Sequence, residues 1–170
     1  LASVRAGNVI GGGDWALDRI IPDCIKALEA GKGIDIRSPK AIRPWQHVLE
    51  PLSGYMLLAT KMWEEPTKYC EGWNFGPRAE SITPVWDVAT DVIKNYGSGK
   101  LNDISNSNVL HEAKLLMLDI SKAKFQLGWE PRMNIHQCIE LTVDWYKKYQ
   151  NVDSIYMLCL NEIFKFTSYK

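Results

Sequence analysis

Hydrophobic and polar positions along the chain follow two periodicities. Short apolar runs bounded by glycine or proline predict β-strands. These strands are Ser3–Ile10, Ile34–Ile36, Trp73–Phe75 and Leu115–Leu118. Apolar positions spaced three and four residues apart predict helices. These helices are Pro22–Ala30, Pro51–Trp63, Pro84–Tyr96, Ser121–Leu127, Ile135–Tyr149 and Ile155–Phe166. Strands that alternate with helices indicate an α/β fold.

Local signals set the expected helix ends. The residue before a proline disfavours the α conformation, so Ile21 predicts that a separate turn precedes a helix starting at Pro22. Thr83 is a typical N-cap in front of Pro84. Asn134, followed three residues later by glutamine, forms a capping-box pattern. Glycines that follow the apolar runs predict the helix ends.

The helix at Pro51–Trp63 has the clearest amphipathic pattern, and its large apolar side chains share one face. We expect this face to cover the sheet only in part, so that some of its Leu, Met and Trp surface is exposed. The face comprises Leu52, Tyr55, Met56, Ala59, Met62 and Trp63.

The length and composition indicate part of a larger globular domain. The chain has 170 residues, of which 46% are hydrophobic and 24% charged, which excludes a disordered protein. It does not begin with Met and enters a strand-like run at once, and four short strands are few for a doubly wound sheet. We therefore expect a fragment of a longer protein.

Charge and hydropathy argue against two classes of partner. Lysine and arginine number 20, as do aspartate and glutamate, so the formal net charge is zero and nucleic-acid binding is not expected. An apolar run of about 18 residues, the length that spans a bilayer, does not occur, so no membrane partner is expected either.

The cysteines and histidines do not form a metal motif. None of the four cysteines belongs to a C-x-x-C pair, and no two of the three histidines have H-x-x-x-H spacing. We expect reduced thiols, partly buried, in a cytoplasmic protein without a metal site.

Two motifs resemble parts of dinucleotide enzymes. The segment Gly11–Ala16 fits G-x-G-x-x-A, and Asp35 follows about twenty residues later, the spacing of an NAD fingerprint. The alternative is a flexible turn at the mouth of a site, which the nearby Asp14 and the late helix start favour. Tyr96–Lys100 fits Y-x-x-x-K, but Gly-Ser-Gly inside it predicts a loop without a catalytic role.

Three polar residues are candidates for an anion site. Arg43, between Ile42 and a Pro-Trp sequence, can bind a phosphate through two parallel hydrogen bonds, or can lie on the surface stacked on Trp45. Asn8 lies near the carboxyl end of the predicted strand Ser3–Ile10, where ligands of open α/β sheets bind, although it can also be a turn residue. Arg19 can add a second cation or remain solvated.

In this order and spacing, several short segments resemble an extended short-chain dehydrogenase/reductase of the NAD-dependent epimerase/dehydratase superfamily. The resemblance covers nearly the whole chain, and its landmarks follow one another as in that family. They are Arg5–Gly11, Arg19–Pro22, Ile34–Ile36, Arg43–Val48, Trp73–Gly76, Asp119–Ala123 and Leu127–Trp129. Within the superfamily, the segments at 11–15, 43–48 and 111–113 are most similar to enzymes that dehydrate a nucleotide-linked hexose.

The resemblance implies the C-terminal portion of such an α/β protein, which combines the last Rossmann strands with the small substrate-binding α/β subdomain. Residues 1–33 and 44–77 are then the Rossmann remnant. Residues 34–43 and 78–170 are then mainly the substrate-binding subdomain. In the family, the cofactor glycines, the Tyr/Lys pair and the acid/base carboxylate all precede the region that this chain matches. No catalytic residue is therefore expected in this chain.

The resemblance also implies a ligand and residue roles. The expected partner is a nucleotide sugar, most closely a CDP-hexose, and the expected cofactor is NAD, whose main site lies outside this chain. Gly7 matches a position where the backbone approaches the nicotinamide. The residues that match substrate-binding positions are Asn8, Arg19, Ile34, Ile36, Arg43 and Asn74. His111 is the nearest polar residue to the position of a second phosphate arginine, which Val109 occupies here.

Two functions remain open from the sequence. The first is the nucleotide-sugar-binding part of a lyase that loses water from the sugar with the help of NAD, inactive without its catalytic half and homo-oligomeric when complete. The second is a stand-alone nucleotide-binding, carbohydrate-binding or interaction domain, in which the 11–16 turn is the nucleotide site.

Overall fold

The computed structural model describes residues 1–106 and 116–169. Its strands are β1 Ser3–Ala6, β2 Asn8–Ile10, β3 Ile34–Ile36, β4 Ile42–Arg43, β5 Trp45–His47, β6 Gly72–Phe75, β7 Thr83–Pro84 and β8 Leu101–Asp103. Its α-helices are α1 Ile20–Glu29, α2 Leu49–Glu64, α3 Pro66–Tyr69, α4 Val85–Tyr96, α5 Ile135–Lys148 and α6 Ile155–Ser168. Short 3₁₀ turns occur at Ala79–Ser81 and Tyr149–Asn151, and a π-helical turn at Ala123–Leu127.

The strands pair two by two. Parallel ladders join β1 to β6, β2 to β5 and β3 to β8, and an antiparallel ladder joins β4 to β7. The predicted strand Ser3–Ile10 is therefore two strands that serve different ladders, with the break at Gly7. A Cβ at Gly7 would lie 2.3 Å from the carbonyl oxygen of Pro44, so only glycine fits there.

Two apolar clusters form the interior. The larger cluster is formed by α1, α4, α5 and β3, together with Ile10 and Trp45. The smaller cluster joins α2, β6 and the π-helical turn. Its buried members are Leu58, Tyr69, Trp73, Phe75, Ala123, Leu127 and Trp129. The predicted division of the chain into a Rossmann part and a substrate-binding part stays a prediction.

The start of α1 differs from the sequence prediction. The helix begins at Ile20, and Ile21 is helical although it precedes Pro22. The proline lies within the first turn, where a missing N–H breaks no helical hydrogen bond, so the preference against helix before proline is overcome. Both residues are buried, Ile21 in the larger cluster, and burial supplies the compensating free energy. The separate turn expected at 17–21 is therefore wrong at its last two residues.

The buried face of α2 also differs from the prediction. The helix is present, but its buried residues are Glu50, Pro51, Gly54 and Leu58. A Cβ at Gly54 would lie 2.3 Å from the Phe75 ring, so the helix approaches the β6 strand through a glycine. The Leu, Met and Trp surface of the apolar stripe is partly uncovered, as predicted: Leu52 is 43%, Met56 67% and Trp63 90% accessible.

Other local predictions have mixed outcomes. The capping box of α5 is confirmed, with Asn134 and Gln137 bonded reciprocally. Helix α4 buries Val88, Ala89 and Val92, and its N-cap is Pro84 where Thr83 was predicted, because Thr83 pairs with β4. Gly97 ends α4 at a φ of 113°, so Tyr96 is the last helical residue and the rest of the Y-x-x-x-K sequence follows as a loop, as predicted.

The predicted strand at Leu115–Leu118 is wrong over 116–118, which have no regular structure, and Leu115 lies outside the described residues. The predicted helix at Ser121–Leu127 is present, ends at Gly128, and contains the π-helical turn.

Candidate functional site

A cavity of about 480 Å³ opens where β2 ends and α1 begins. Gly7 lines it from the break between β1 and β2, and Asn8 lines it as the first residue of β2. Arg19 lines it from the residue that caps α1. Ile20 and Pro22 add apolar walls. The carboxyl end of a parallel strand beside a helix N-terminus is the place where α/β folds bind ligands, and the helix dipole there favours negative charge. The cavity therefore brings together three residues that the sequence analysis singled out.

Two carboxylates share the cavity wall with Arg19. The Arg19 Nη1 atom lies 3.3 Å from the Asp14 Oδ2 atom. The Asp18 Oδ1 atom lies 2.9 Å from the Nη2 atom of Arg37. Asp18 adopts a left-handed conformation, with a φ of 59°, which Asp tolerates better than most side chains. An anion bound near Arg19 therefore meets negative charge as well as positive charge.

The loop that carries Asp14 is held by α5. The Tyr146 hydroxyl donates to the carbonyl oxygen of Asp14 over 2.5 Å. A Cβ at Gly12 would lie 2.2 Å from the Trp145 ring, so this glycine allows the indole to pack directly against the backbone. Burial raises the pKa of Tyr146 to about 12, which keeps its hydroxyl protonated as a donor. Helix α5 thus sets the position of one wall of the cavity.

The G-x-G-x-x-A segment does not have the geometry of an NAD fingerprint. That motif needs a helix that starts at the glycines, whereas α1 starts only at Ile20. Asp35, the candidate ribose ligand, lies in the middle of β3 and accepts a hydrogen bond from Asn102 Nδ2 over 2.8 Å. The residues therefore do not fit an NAD pyrophosphate, and the segment is a turn at the mouth of the cavity.

Four further predicted site residues lie away from the cavity wall. Arg43 is half-buried, and its Nη1 donates to the carbonyl oxygen of Ile42 over 2.9 Å. Asn74 Nδ2 donates to the carbonyl oxygen of Asp119 over 3.1 Å. The side chains of Ile34 and Ile36 are buried in the larger cluster. These two side chains therefore do not line the cavity, and their match to substrate-binding positions stays a prediction.

His111 lies outside the described residues. Its assignment to a second phosphate contact stays a prediction.

Two buried polar side chains, Gln46 and His47, lie on β5 and were not predicted from the sequence. Gln46 Nε2 donates to the carbonyl oxygen of Phe75 over 2.8 Å. His47 Nδ1 accepts from the backbone N–H of Leu49 over 3.3 Å, and burial lowers the pKa of His47 to about 4. This histidine is therefore neutral near pH 7. These two side chains support the backbone on which Trp45, a cavity residue, is carried.

The thiols and possible metal ligands of the described residues do not cluster. All four cysteines are free, as expected, and burial raises the pKa of Cys24 and Cys138 to about 12. Among residues 1–106 and 116–169, no cluster of three or more His, Cys, Asp or Glu side chains could hold a metal ion. Within the same residues, none of the helices is long and apolar enough to cross a membrane.

The fold matches part of two sugar-nucleotide enzymes of known structure. One is dTDP-glucose 4,6-dehydratase from Bacillus anthracis in complex with NAD, with a TM-score of 0.73 and 20% identity over 88% of this chain and 45% of that one. The other is UDP-glucuronic acid 4-epimerase from Bacillus cereus in complex with UDP-glucuronic acid and NAD, with a TM-score of 0.70 and 22% identity over 86% and 45%. The chain has the fold of an extended short-chain dehydrogenase/reductase, of which it covers under half.

At the level of sequence, the chain is similar to CDP-glucose 4,6-dehydratase. The curated enzyme of that name from Salmonella typhimurium (strain LT2) is 45% identical over 168 residues, which are 99% of this chain and 47% of that enzyme. The match confirms the resemblance drawn from the sequence motifs. The chain therefore spans about half the length of the curated relative that it matches, and no protein-family model matches it.

Proposed function

We propose that this chain is the nucleotide-sugar-binding part of a lyase that dehydrates CDP-glucose to a 4-keto-6-deoxy sugar nucleotide. The observation that carries the proposal is the 45% identity to CDP-glucose 4,6-dehydratase over 99% of the chain. The cavity at the end of β2 supports it, because an amide, a guanidinium and a helix N-terminus converge on one wall.

In the proposed complex, Arg19 and Asn8 hold the diphosphate. The guanidinium offers parallel N–H donors to phosphate oxygens, and the Asn8 amide adds a neutral hydrogen bond. Ile20, Pro22 and Trp45 exclude water from the same volume, which strengthens these charged contacts. The diphosphate anchor fixes the attached hexose relative to the reacting groups.

NAD, when bound to the complete enzyme, would supply the reversible hydride transfer that the dehydration needs. Within this chain, the main chain at Gly7 is the candidate for contact with the nicotinamide, since it lines the cavity without a side chain. The cofactor's main site and the acid/base residues belong to the part of the enzyme that this chain does not match. The complete protein is then a cytoplasmic homo-oligomer.

The first test is catalytic. We expect the 170-residue chain alone to have no dehydratase activity with CDP-glucose and NAD⁺, and the protein from the complete open reading frame to form the 4-keto product. Turnover by the short chain above a no-protein control would show that the catalytic groups lie within it. Absence of turnover by the complete protein would overturn the proposed reaction.

The second test concerns the ligand. In the complete protein, Asn8→Ala should weaken CDP binding by roughly 10- to 150-fold, because a hydrogen bond to a charged group contributes roughly 1.5–3 kcal/mol. A matched control is Asn95→Ala, whose amide bonds to the carbonyl oxygen of Asp91 on α4. Calorimetry that finds equal affinities for the two variants would remove the cavity from the nucleotide site.

A further inference from the structure

We propose that Asp14 is a specificity-determining residue that neutralises Arg19 until a multiply charged anion displaces it. The proposal rests on the proposed function for the identity of the ligand, a nucleoside diphosphate group. It adds a competitor inside the binding site: the ligand must be a stronger partner for the guanidinium than one carboxylate is.

The charges on the cavity wall show which carboxylate competes for Arg19. Among the described residues that line it, Asp14 and Asp18 are acidic and Arg19 is basic. Asp18 pairs with Arg37, which does not line the cavity, whereas Asp14 pairs with the cavity's own cation. A carboxylate on Arg19 occupies the same N–H donors that a phosphate would use.

Asp14 and Arg19 differ in conformational freedom. The Asp14 carboxylate is fixed because Oδ1 accepts from the backbone N–H of Ala16 over 3.0 Å. Its backbone is fixed in turn by the Tyr146 hydroxyl and by the indole of Trp145 against Gly12. The Arg19 side chain is 63% exposed and has the longer stem. On ligand binding, Arg19 therefore moves while Asp14 stays.

The consequence is selectivity by charge. A singly charged carboxylate or halide gains little from replacing Asp14, because it offers Arg19 a partner of equal charge. A diphosphate presents more charge and more acceptor oxygens, and so wins the competition. Because the Asp14–Arg19 pair is partly exposed, its contribution is modest, and removal of the competitor should tighten anion binding about two- to fivefold.

A double-mutant cycle in the complete protein tests this competition, with CDP and inorganic pyrophosphate as probes and calorimetry as readout. The variants are Asp14→Asn, Arg19→Gln and the double variant. The asparagine keeps the oxygen that accepts from Ala16, so the turn is preserved. We expect Asp14→Asn to tighten binding of both probes two- to fivefold and to have no effect in the Arg19→Gln background.

Asp18→Asn is the matched control, since it removes the same charge from the same cavity wall but leaves Arg19 paired. The proposal is overturned if Asp18→Asn tightens binding as much as Asp14→Asn does, or if the effect of Asp14→Asn persists in the Arg19→Gln background. In either case the overall electrostatic potential of the cavity would be responsible. Unchanged or weaker binding by Asp14→Asn overturns it as well.

The two probes separate this proposal from the proposed function. Coupled binding of pyrophosphate without measurable binding of CDP would support the competition and reject the nucleotide ligand. Binding of CDP without coupling between residues 14 and 19 would support the ligand and reject the competition. If neither probe binds the wild-type protein, both are rejected.

Discussion

Glu50 offers the sharpest test of how this fold is held together. Its side chain is fully buried, and its Oε1 atom accepts from the backbone N–H groups of Arg132 and Met133 over 2.9 Å and 2.7 Å. One carboxyl group on α2 therefore satisfies two donors immediately before α5, although more than 80 residues separate the partners. We expect Glu50→Ala to destabilise the chain strongly.

The magnitude follows from the two donors. A buried donor left without an acceptor costs about 1–3 kcal/mol, so the loss of both bonds should cost roughly 2–6 kcal/mol. That is a large share of the net stability of about 5–15 kcal/mol that is typical of a domain. Glu50→Gln retains a carbonyl oxygen in the same place, and its cost should stay below about 1 kcal/mol, in the range of substitutions that keep the native contacts.

The pH dependence gives a second readout. Burial raises the pKa of Glu50 above its ordinary value of 4.5, so the native state holds its proton where the unfolded chain has released it. The stability linked to this proton is complete below pH 4.5 and is lost as the pH rises through the native pKa. The difference in stability between wild type and Glu50→Gln should therefore shift in favour of the variant as pH rises.

Urea unfolding followed by tryptophan fluorescence, at several pH values from 4.5 to 8, measures both effects. Wild-type stability in Glu50→Ala would refute the assigned role of the two hydrogen bonds. A difference between wild type and Glu50→Gln that does not change with pH would refute the raised pKa.

Three further predictions concern other parts of the chain. Burial, with a smaller contribution from Asp144, raises the pKa of Glu162 to about 7. Wild-type stability should therefore fall between pH 4.5 and 7 relative to Glu162→Gln, by roughly 1–2 kcal/mol after allowance for partial exposure. Urea midpoints of the two proteins that change equally with pH would contradict this. Gly12→Ala should destabilise by about 1–3 kcal/mol, because its Cβ meets an indole ring, and an unchanged urea midpoint would show that the loop yields freely. Trp63→Glu should reduce self-association measured by sedimentation, since it interrupts the exposed apolar stripe of α2, whereas Phe125→Glu should not; equal effects would deny the stripe any special role.

Elements with local signals were predictable, and contacts between distant segments were not. The α5 helix carries its own start signal in Asn134 and Gln137, so sequence alone locates it. The α2 helix shows the limit of such reasoning, because its largest apolar stripe is exposed while Gly54 and Leu58 make the close contact. Periodicity reports that a helix has an apolar face, but the shape of the partner surface decides which face is buried.

The same distinction applies to the candidate site. Asn8 and Arg19 could be placed near one another because strand ends and helix starts meet at the same edge of a parallel sheet. The role of Tyr146 could not be found in this way, because its hydroxyl meets a carbonyl oxygen 132 residues earlier in the chain. The glycines at 11–13 were ambiguous for a related reason: a backbone packed against an indole and a backbone around a phosphate both exclude side chains.

The break at Gly7 has a consequence for how this sequence can evolve. Upstream of it, β1 pairs with a strand of the smaller cluster, and downstream of it, β2 pairs with a strand beside the larger one. One short segment thus links two interiors through main-chain hydrogen bonds, which do not depend on side-chain identity. Substitutions along these two strands can therefore change side chains without breaking the main-chain link. The junction itself cannot acquire a side chain, because the carbonyl oxygen of Pro44 occupies the space.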